Sequence, residues 1–185
     1  MAVKHPELTD LTKKNIIEAF WQCLSKSALP ALHVSTICRR AGYNRTTFYK
    51  YFLDILDLKN QAEDNLLSEL MALISDAVKD QSDQEVMLTI SRISLNFNSK
   101  LGLLFSSKGD PSFSLKYRTE LEPIVRRSMD KKTDSRQIHL LCAYATDAIA
   151  ATLEWLYTHP EENPDDALAF LHRFLSAGIE GIEQG

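Results

Sequence analysis

Arg39, Arg40, Arg45 and Lys50 fall within one short stretch of the chain, interleaved with Tyr43, Asn44, Thr46, Thr47 and Tyr49. No Asp or Glu occurs anywhere between Glu18 and Asp54, and Lys26 adds a further cation to that gap. Guanidinium and ammonium groups neutralise phosphate, and an arginine can also bind guanine through two parallel hydrogen bonds. Threonine donates to phosphate and offers a methyl group to thymine, while a tyrosine hydroxyl reaches a phosphate oxygen. This set therefore suits the backbone and base edges of DNA. The same residues also fit the solvated face of an ordinary helical protein with half-buried tyrosines, and composition alone does not separate the two.

The charge is divided along the chain. Residues 1–60 carry nine Lys/Arg against five Asp/Glu, whereas residues 61–185 carry twelve against twenty, within a formal net charge of -4. A small basic module on an acidic body can hold phosphates on one face and stay soluble through the rest.

Hydrophobic spacing predicts helices throughout, hence an all-α fold. Leu11, Ile16, Ile17, Phe20, Trp21 and Leu24 recur at intervals of three and four, with Asp10 as N-cap and Pro30 beyond the end. A short helix is expected over Val34–Ala41, stopped by Gly42, because glycine enters the left-handed conformation without a Cβ penalty. Asn44 then caps a helix from Arg45 to about Phe52, with Phe48 and Phe52 on its buried side, and Asp54 caps a long helix to Val78. Two short helices around a glycine turn, behind a longer one, describe a helix-turn-helix, whose second helix enters the major groove. Helical proteins of other kinds also contain short helices and glycine turns.

The apolar run 86–105 reads as two elements meeting near Ser99–Gly102, with a strand left open by its β-branched content. Residues 106–112 form a loop, and 113–131 return to a helical period that Pro123 should bend or restart. Strong helices follow at 137–157 and from Pro164 to about Ile179, the latter with Asn163 as N-cap.

Residues 34–52, VSTICRRAGYNRTTFYKYF, closely resemble the DNA-binding signature of the TetR/AcrR family of bacterial transcriptional regulators. Ala41-Gly42, Thr47-Phe48-Tyr49 and Tyr51-Phe52 stand at that family's spacing, with Asp54 and Leu58 heading the next helix; the likeness extends over about residues 12–58. It implies a DNA-binding domain over 1–55 and a helical effector-binding and dimerisation domain over 56–185. It implies that Tyr43, Asn44, Arg45, Thr46 and Thr47 approach the groove and its walls, and that Tyr49 and Lys50 address phosphates. Three positions depart from the pattern: His33 stands where a threonine usually caps, Asn44 replaces serine, and Ile55 replaces a phosphate-binding lysine, with Lys59 as a possible substitute.

The resemblance further implies a homodimer, formed by helices 137–157 and 164–179, on a pseudo-palindromic operator. Leu141, Ala145, Ala148, Ile149, Leu168, Leu171 and Leu175 are the candidates for that contact, with intrachain packing as the alternative. A small-molecule effector would sit within residues 80–135, lined by Phe97, Phe105, Phe113 and Tyr117 with Arg92 or Arg118 for an anionic group; core packing explains the apolar members equally well.

Other chemistries find little support. Cys23, Cys38 and Cys142 are no disulfide framework, and His139, Cys142 and His172 are too sparse for a metal site. No G-x-S-x-G, P-loop, H-E-x-x-H or paired-Cys signature occurs, so neither an enzyme nor a cofactor is expected. The start, MAVKHPELTD, lacks the apolar core of a signal peptide and no stretch reaches membrane-spanning length, so a cytoplasmic protein is expected. A repressor is the leading expectation. A transcriptional activator and an effector-independent helical DNA-binding protein of the same fold are the alternatives.

Overall fold

The computed structural model describes residues 6–79, 81, 83–97, 99–129 and 135–183, which are all-α: among them there is no strand. They form two compact units, Met1–Leu66 and Leu67–Gly185. The expected boundary after residue 55 coincides with the start of a long helix, and the division between units falls further along that same helix.

In the first unit α1 spans Pro6–Leu24. It begins earlier than expected, so Asp10 lies inside the helix rather than capping it. Ile16, Phe20, Trp21 and Leu24 of α1 are buried. A single 3-10 turn, Leu29–Ala31, holds Pro30. α2 spans Val34–Ala41 and packs on α1. α3 spans only Arg45–Phe48, and α4 spans Ile55–Ala77.

The second unit contains the C-terminal part of α4 and five further helices. α5 is Asp83–Asn96, α6 Ser99–Phe105, α7 Ser112–Met129, α8 Ser135–Thr158 and α9 Pro164–Glu183. The run 86–105 thus holds two helices, and the strand alternative is not realised. α7 passes through Pro123 without interruption. Thr119 and Pro123 are both exposed, so water can satisfy the carbonyl that the proline leaves without its N–H partner. Asn163 caps α9 as its sequence predicts: its Oδ1 accepts from the Asp165 N–H at 2.9 Å. α8 packs against α5, α6, α7 and α9, and so stands at the centre of this unit.

Candidate nucleic-acid interface

The turn between α2 and α3 is set by one glycine. Gly42 has φ 77° and ψ 23°, the left-handed conformation, and its N–H donates to the Cys38 carbonyl. The Tyr43 N–H donates to the same carbonyl at 3.0 Å. No atom of the rest of the chain would meet a Cβ added at Gly42, so the glycine is required by backbone conformation and not by space.

His33 occupies the N-cap position of α2 without a side-chain cap, in line with its weak capping chemistry. Asn44 does cap α3: its Oδ1 accepts from the Thr47 N–H at 2.8 Å. The α-helical part, Arg45–Phe48, is shorter than the expected run to Phe52. Beyond it the chain tightens, with Lys50 N–H to Thr47 carbonyl (3.2 Å) and Tyr51 N–H to Phe48 carbonyl (3.0 Å). The Phe52 N–H returns to the Phe48 carbonyl at 3.0 Å, so the coil continues to Phe52. A 3-10 ending of this kind is frequent at helix termini.

Burial sorts the side chains of α3 as its sequence predicts. Phe48 and Phe52 are buried, with ring centroids 5.4 Å apart. Each such burial contributes on the order of 1.5–3 kcal/mol, which fixes the rotation of the short helix. Asn44, Arg45, Thr46, Tyr49 and Lys50 are exposed, while Tyr43 and Thr47 are half-buried. Tyr49 sits edge-on to Phe48 (5.3 Å, 85°) and keeps 56% of its surface open. The seven candidate residues therefore share one short capped element. Burial pushes the Cys38 thiol up, partly offset by the charge of Arg45.

Two polar ties join α1 to α2 and to the turn that follows it. Asn15 Nδ2 donates to the Tyr43 hydroxyl at 3.2 Å, and Arg40 donates to Gln22 Oε1 at 3.3 Å. Neither was legible from hydrophobic spacing. The head of α4 is pinned as well: the Asp57 N–H donates to Asp54 Oδ1 (2.8 Å) and the Leu53 N–H to Asp57 Oδ2 (2.8 Å). The Gln61 amide beside it and the Leu53 N–H hold the Asp57 carboxyl below the usual carboxylate range. Lys59 is not a substitute for the missing phosphate-binding lysine. Its side chain is buried, with Nζ 3.6 Å from Glu63 Oε1, one helical turn along α4.

In the second unit three of the six residues expected around an effector come together and the other three lie elsewhere. Phe105, Phe113 and Tyr117 are buried in one another's company: Phe105 lies 5.2 Å from Phe113 and 5.4 Å from Tyr117, both edge-on. Tyr157, which spacing did not single out, stacks on Phe105 at 6.0 Å. The Tyr117 hydroxyl meets Ser94 Oγ at 2.8 Å, and Tyr157 donates to the Leu95 carbonyl at 3.2 Å. These aromatics pack against one another edge-on, the arrangement that their ring quadrupoles favour. Phe97 is half-buried. Arg118 Nε lies 3.2 Å from Asp147 Oδ1, an ion pair without an aligned hydrogen bond. Arg92 is exposed and lines a different groove, beside His172 and Arg173 of α9. Of the six, only Phe105 borders a cavity of about 280 Å³ next to Ser106, Ser114 and Glu154.

The candidates for contact with a second chain are also redistributed. Ala145, Ile149, Leu168, Leu171 and Leu175 are buried within the single chain, so they are core; Leu141 and Ala148 are half-buried. Helical spacing puts a second apolar stripe opposite the core on α8, and about 100° round from the core on α9. On α8 it is Leu140, Tyr144, Ala148, Ala151 and Trp155; on α9 it is Ala167, Phe170 and Phe174. Phe170 is 65% exposed and Phe174 60%. Ala151, Trp155, Ala167 and Phe170 border a groove of about 500 Å³. His139 and His172 stand apart from any cluster of three His, Cys, Asp or Glu that could hold a metal, among the described residues. Among them, too, no helix is long and apolar enough to cross a membrane.

No protein-family model and no curated protein matches the chain. Solved structures do. A dihydroxyacetone kinase operon activator, DhaS, is 22% identical, with 92% of this chain and 97% of that one covered at a TM-score of 0.67. A TetR transcriptional regulator from Streptococcus agalactiae 2603V is 22% identical over 91% and 96%, at 0.68. The transcriptional regulator FadR from Bacillus subtilis, solved in complex with stearoyl-CoA, is 14% identical over 88% and 95%, at 0.69. Likeness over nine-tenths of the chain at such low identity is likeness of architecture: this all-α chain has the fold of the TetR/AcrR transcriptional regulators.

Proposed function

We propose that the chain is a transcriptional regulator of the TetR/AcrR family, a repressor that binds a pseudo-palindromic DNA operator as a homodimer and responds to a small-molecule effector. One observation carries the reading: the Asn44-capped turn of helix buries Phe48 and Phe52 and thereby presents Arg45, Thr46, Tyr49 and Lys50 outward together, with no acid between Glu18 and Asp54 to repel phosphate. A regulator of this kind works in the cytoplasm.

A single short helix reads only a few base pairs, so useful specificity calls for two copies about 34–36 Å apart, one turn of DNA. The second apolar stripes of α8 and α9 supply the surface for this, since a soluble monomer gains nothing from keeping Tyr144, Trp155, Phe170 and Phe174 in water. The likeness to FadR with its bound stearoyl-CoA supports a ligand-responsive body. A second reading, an activator, draws on the likeness to an operon activator; fold does not decide the sign, which depends on where the operator lies.

The test is enrichment of duplexes from random DNA by the purified protein, followed by binding at two salt concentrations. An enriched palindrome with a steep salt dependence is expected. Enrichment of nothing, with the protein folded, would end the reading.

A further inference from the structure

Resting on the DNA-binding reading, we propose that Asn15 of α1 is a positioning residue for Tyr43: it holds the phenol so that its single hydrogen is aimed at a DNA phosphate. Tyr43 is anchored at both ends. Its backbone N–H is tied to the Cys38 carbonyl at 3.0 Å beside Gly42, and its hydroxyl oxygen accepts from Asn15 Nδ2 at 3.2 Å. The ring is half-buried and Asn15 is exposed, so the contact is open to water, on the residue just before the cap Asn44.

The chemistry of a phenol gives this contact a direction. Conjugation keeps the O–H bond near the ring plane, leaving two orientations on opposite sides of the oxygen, and the hydroxyl has one hydrogen to donate. An amide donor on one side occupies that side, so the hydrogen turns to the other. The donated hydrogen bond also polarises the phenol, which strengthens its own donation to an anionic oxygen. Asn15 thus fixes and strengthens a donor without itself touching DNA.

The test compares Asn15→Ala, Tyr43→Phe and the double variant on a duplex enriched by the unmodified protein. Each single change should weaken binding by the dimer about twenty-five-fold, one hydrogen bond of ordinary strength, about five-fold, being lost at each of the two recognition helices. The double variant should bind as Tyr43→Phe does, because Asn15 has nothing left to orient. Losses that multiply would overturn the role, since Asn15 would then act independently of the hydroxyl. Asn15→Asp should lose more than Asn15→Ala, as a carboxylate accepts the phenol hydrogen and turns it from the DNA; equal or tighter binding would count against the donor direction. In the free protein, Asn15→Ala should shift the Tyr43 ζ-carbon resonance and leave the other tyrosines in place, a signature that a merely packing residue would not produce. An unmodified protein that enriches no duplex defeats the DNA reading itself, whereas binding with multiplying losses defeats only the role of Asn15.

Discussion

One edge of the Tyr157 ring lies against Gly102: a Cβ built there would come within 2.8 Å of both Cδ1 and Cε1. The ring has nowhere to withdraw, because it is stacked on Phe105 and its hydroxyl is bound to the Leu95 carbonyl. Glycine inside α6 costs the helix about 1 kcal/mol relative to alanine, so propensity alone would make Gly102→Ala stabilising. The close approach reverses that sign. Gly102→Ala should lower stability by about 1–3 kcal/mol, the usual cost of overpacking, read as a fall in the urea midpoint. Combining it with Tyr157→Leu should recover part of the loss, and a stabilised single variant would show that the ring moves freely.

The same aromatic cluster makes stability depend on alkaline pH. Burial pushes Tyr157 up to about 12 from an ordinary 10.0, and Tyr117 is raised further by burial, with its Ser94 hydrogen bond opposing. A raised pKa means that the folded state holds its proton more tightly than the unfolded one. Below pH 10 both states keep these protons and the contribution is fully present. Between about pH 10 and 12 the unfolded chain ionises first, so stability falls as pH rises. Tyr117→Phe and Tyr157→Phe together should flatten that decline, measured by denaturant titration across the window. An equally steep decline in the double variant would assign it to other groups.

The recognition element predicts two different signatures in DNA binding. Arg45→Ala, if its guanidinium reaches guanine, should relax discrimination at one base pair by about 1–3 kcal/mol. Tyr49→Phe should weaken all sequences alike, since a phosphate hydrogen bond carries no base information. Lys50→Ala should also act uniformly, and it should reduce the slope of log affinity against log salt by about 0.9 for each helix that loses the charge. Uniform losses for all three would make Arg45 a positioning contact. Because Arg45, Tyr49 and Lys50 are exposed, thermal unfolding should be little changed in each variant.

The first unit was the more legible in sequence, and the reason is local. Asn44, Gly42, Phe48 and Phe52 each act within four residues of themselves, through a cap, a left-handed turn and an i to i+4 face, so their spacing states their roles. Contacts that reach across the chain, such as Asn15 to Tyr43 over 28 positions, leave no periodic trace. The burial of Lys59 beside Glu63 is likewise invisible until the helix is placed. In the second unit the aliphatic residues of α8 and α9 drew attention to one face of each helix, the intrachain core, while the outward face is marked by Tyr144, Trp155 and Phe170. Period alone does not say which of two apolar faces a chain keeps for itself. On these two helices the outward stripe is the one that carries Tyr144, Trp155, Phe170 and Phe174, and aromatic residues are enriched where chains meet.

That stripe gives the final prediction. Phe170→Asp and Ala148→Asp each place a carboxylate on the outward stripe, where the single chain needs no apolar group, so the fold should survive and a homodimer should dissociate. Ala145→Asp and Leu171→Asp bury the same charge in the core and should unfold the chain instead, because an isolated buried carboxylate costs several kcal/mol. Sedimentation and circular dichroism distinguish the two classes directly. The outward variants should also lose operator binding by about 10²–10⁴-fold, since two linked recognition helices bind with an avidity that one lacks. Dimerisation and DNA affinity would then fall together while helicity stays. An unchanged dimer in both outward variants would move the interface to another surface, and a folded monomer that binds the palindrome as tightly as the unmodified protein would remove the need for a pair.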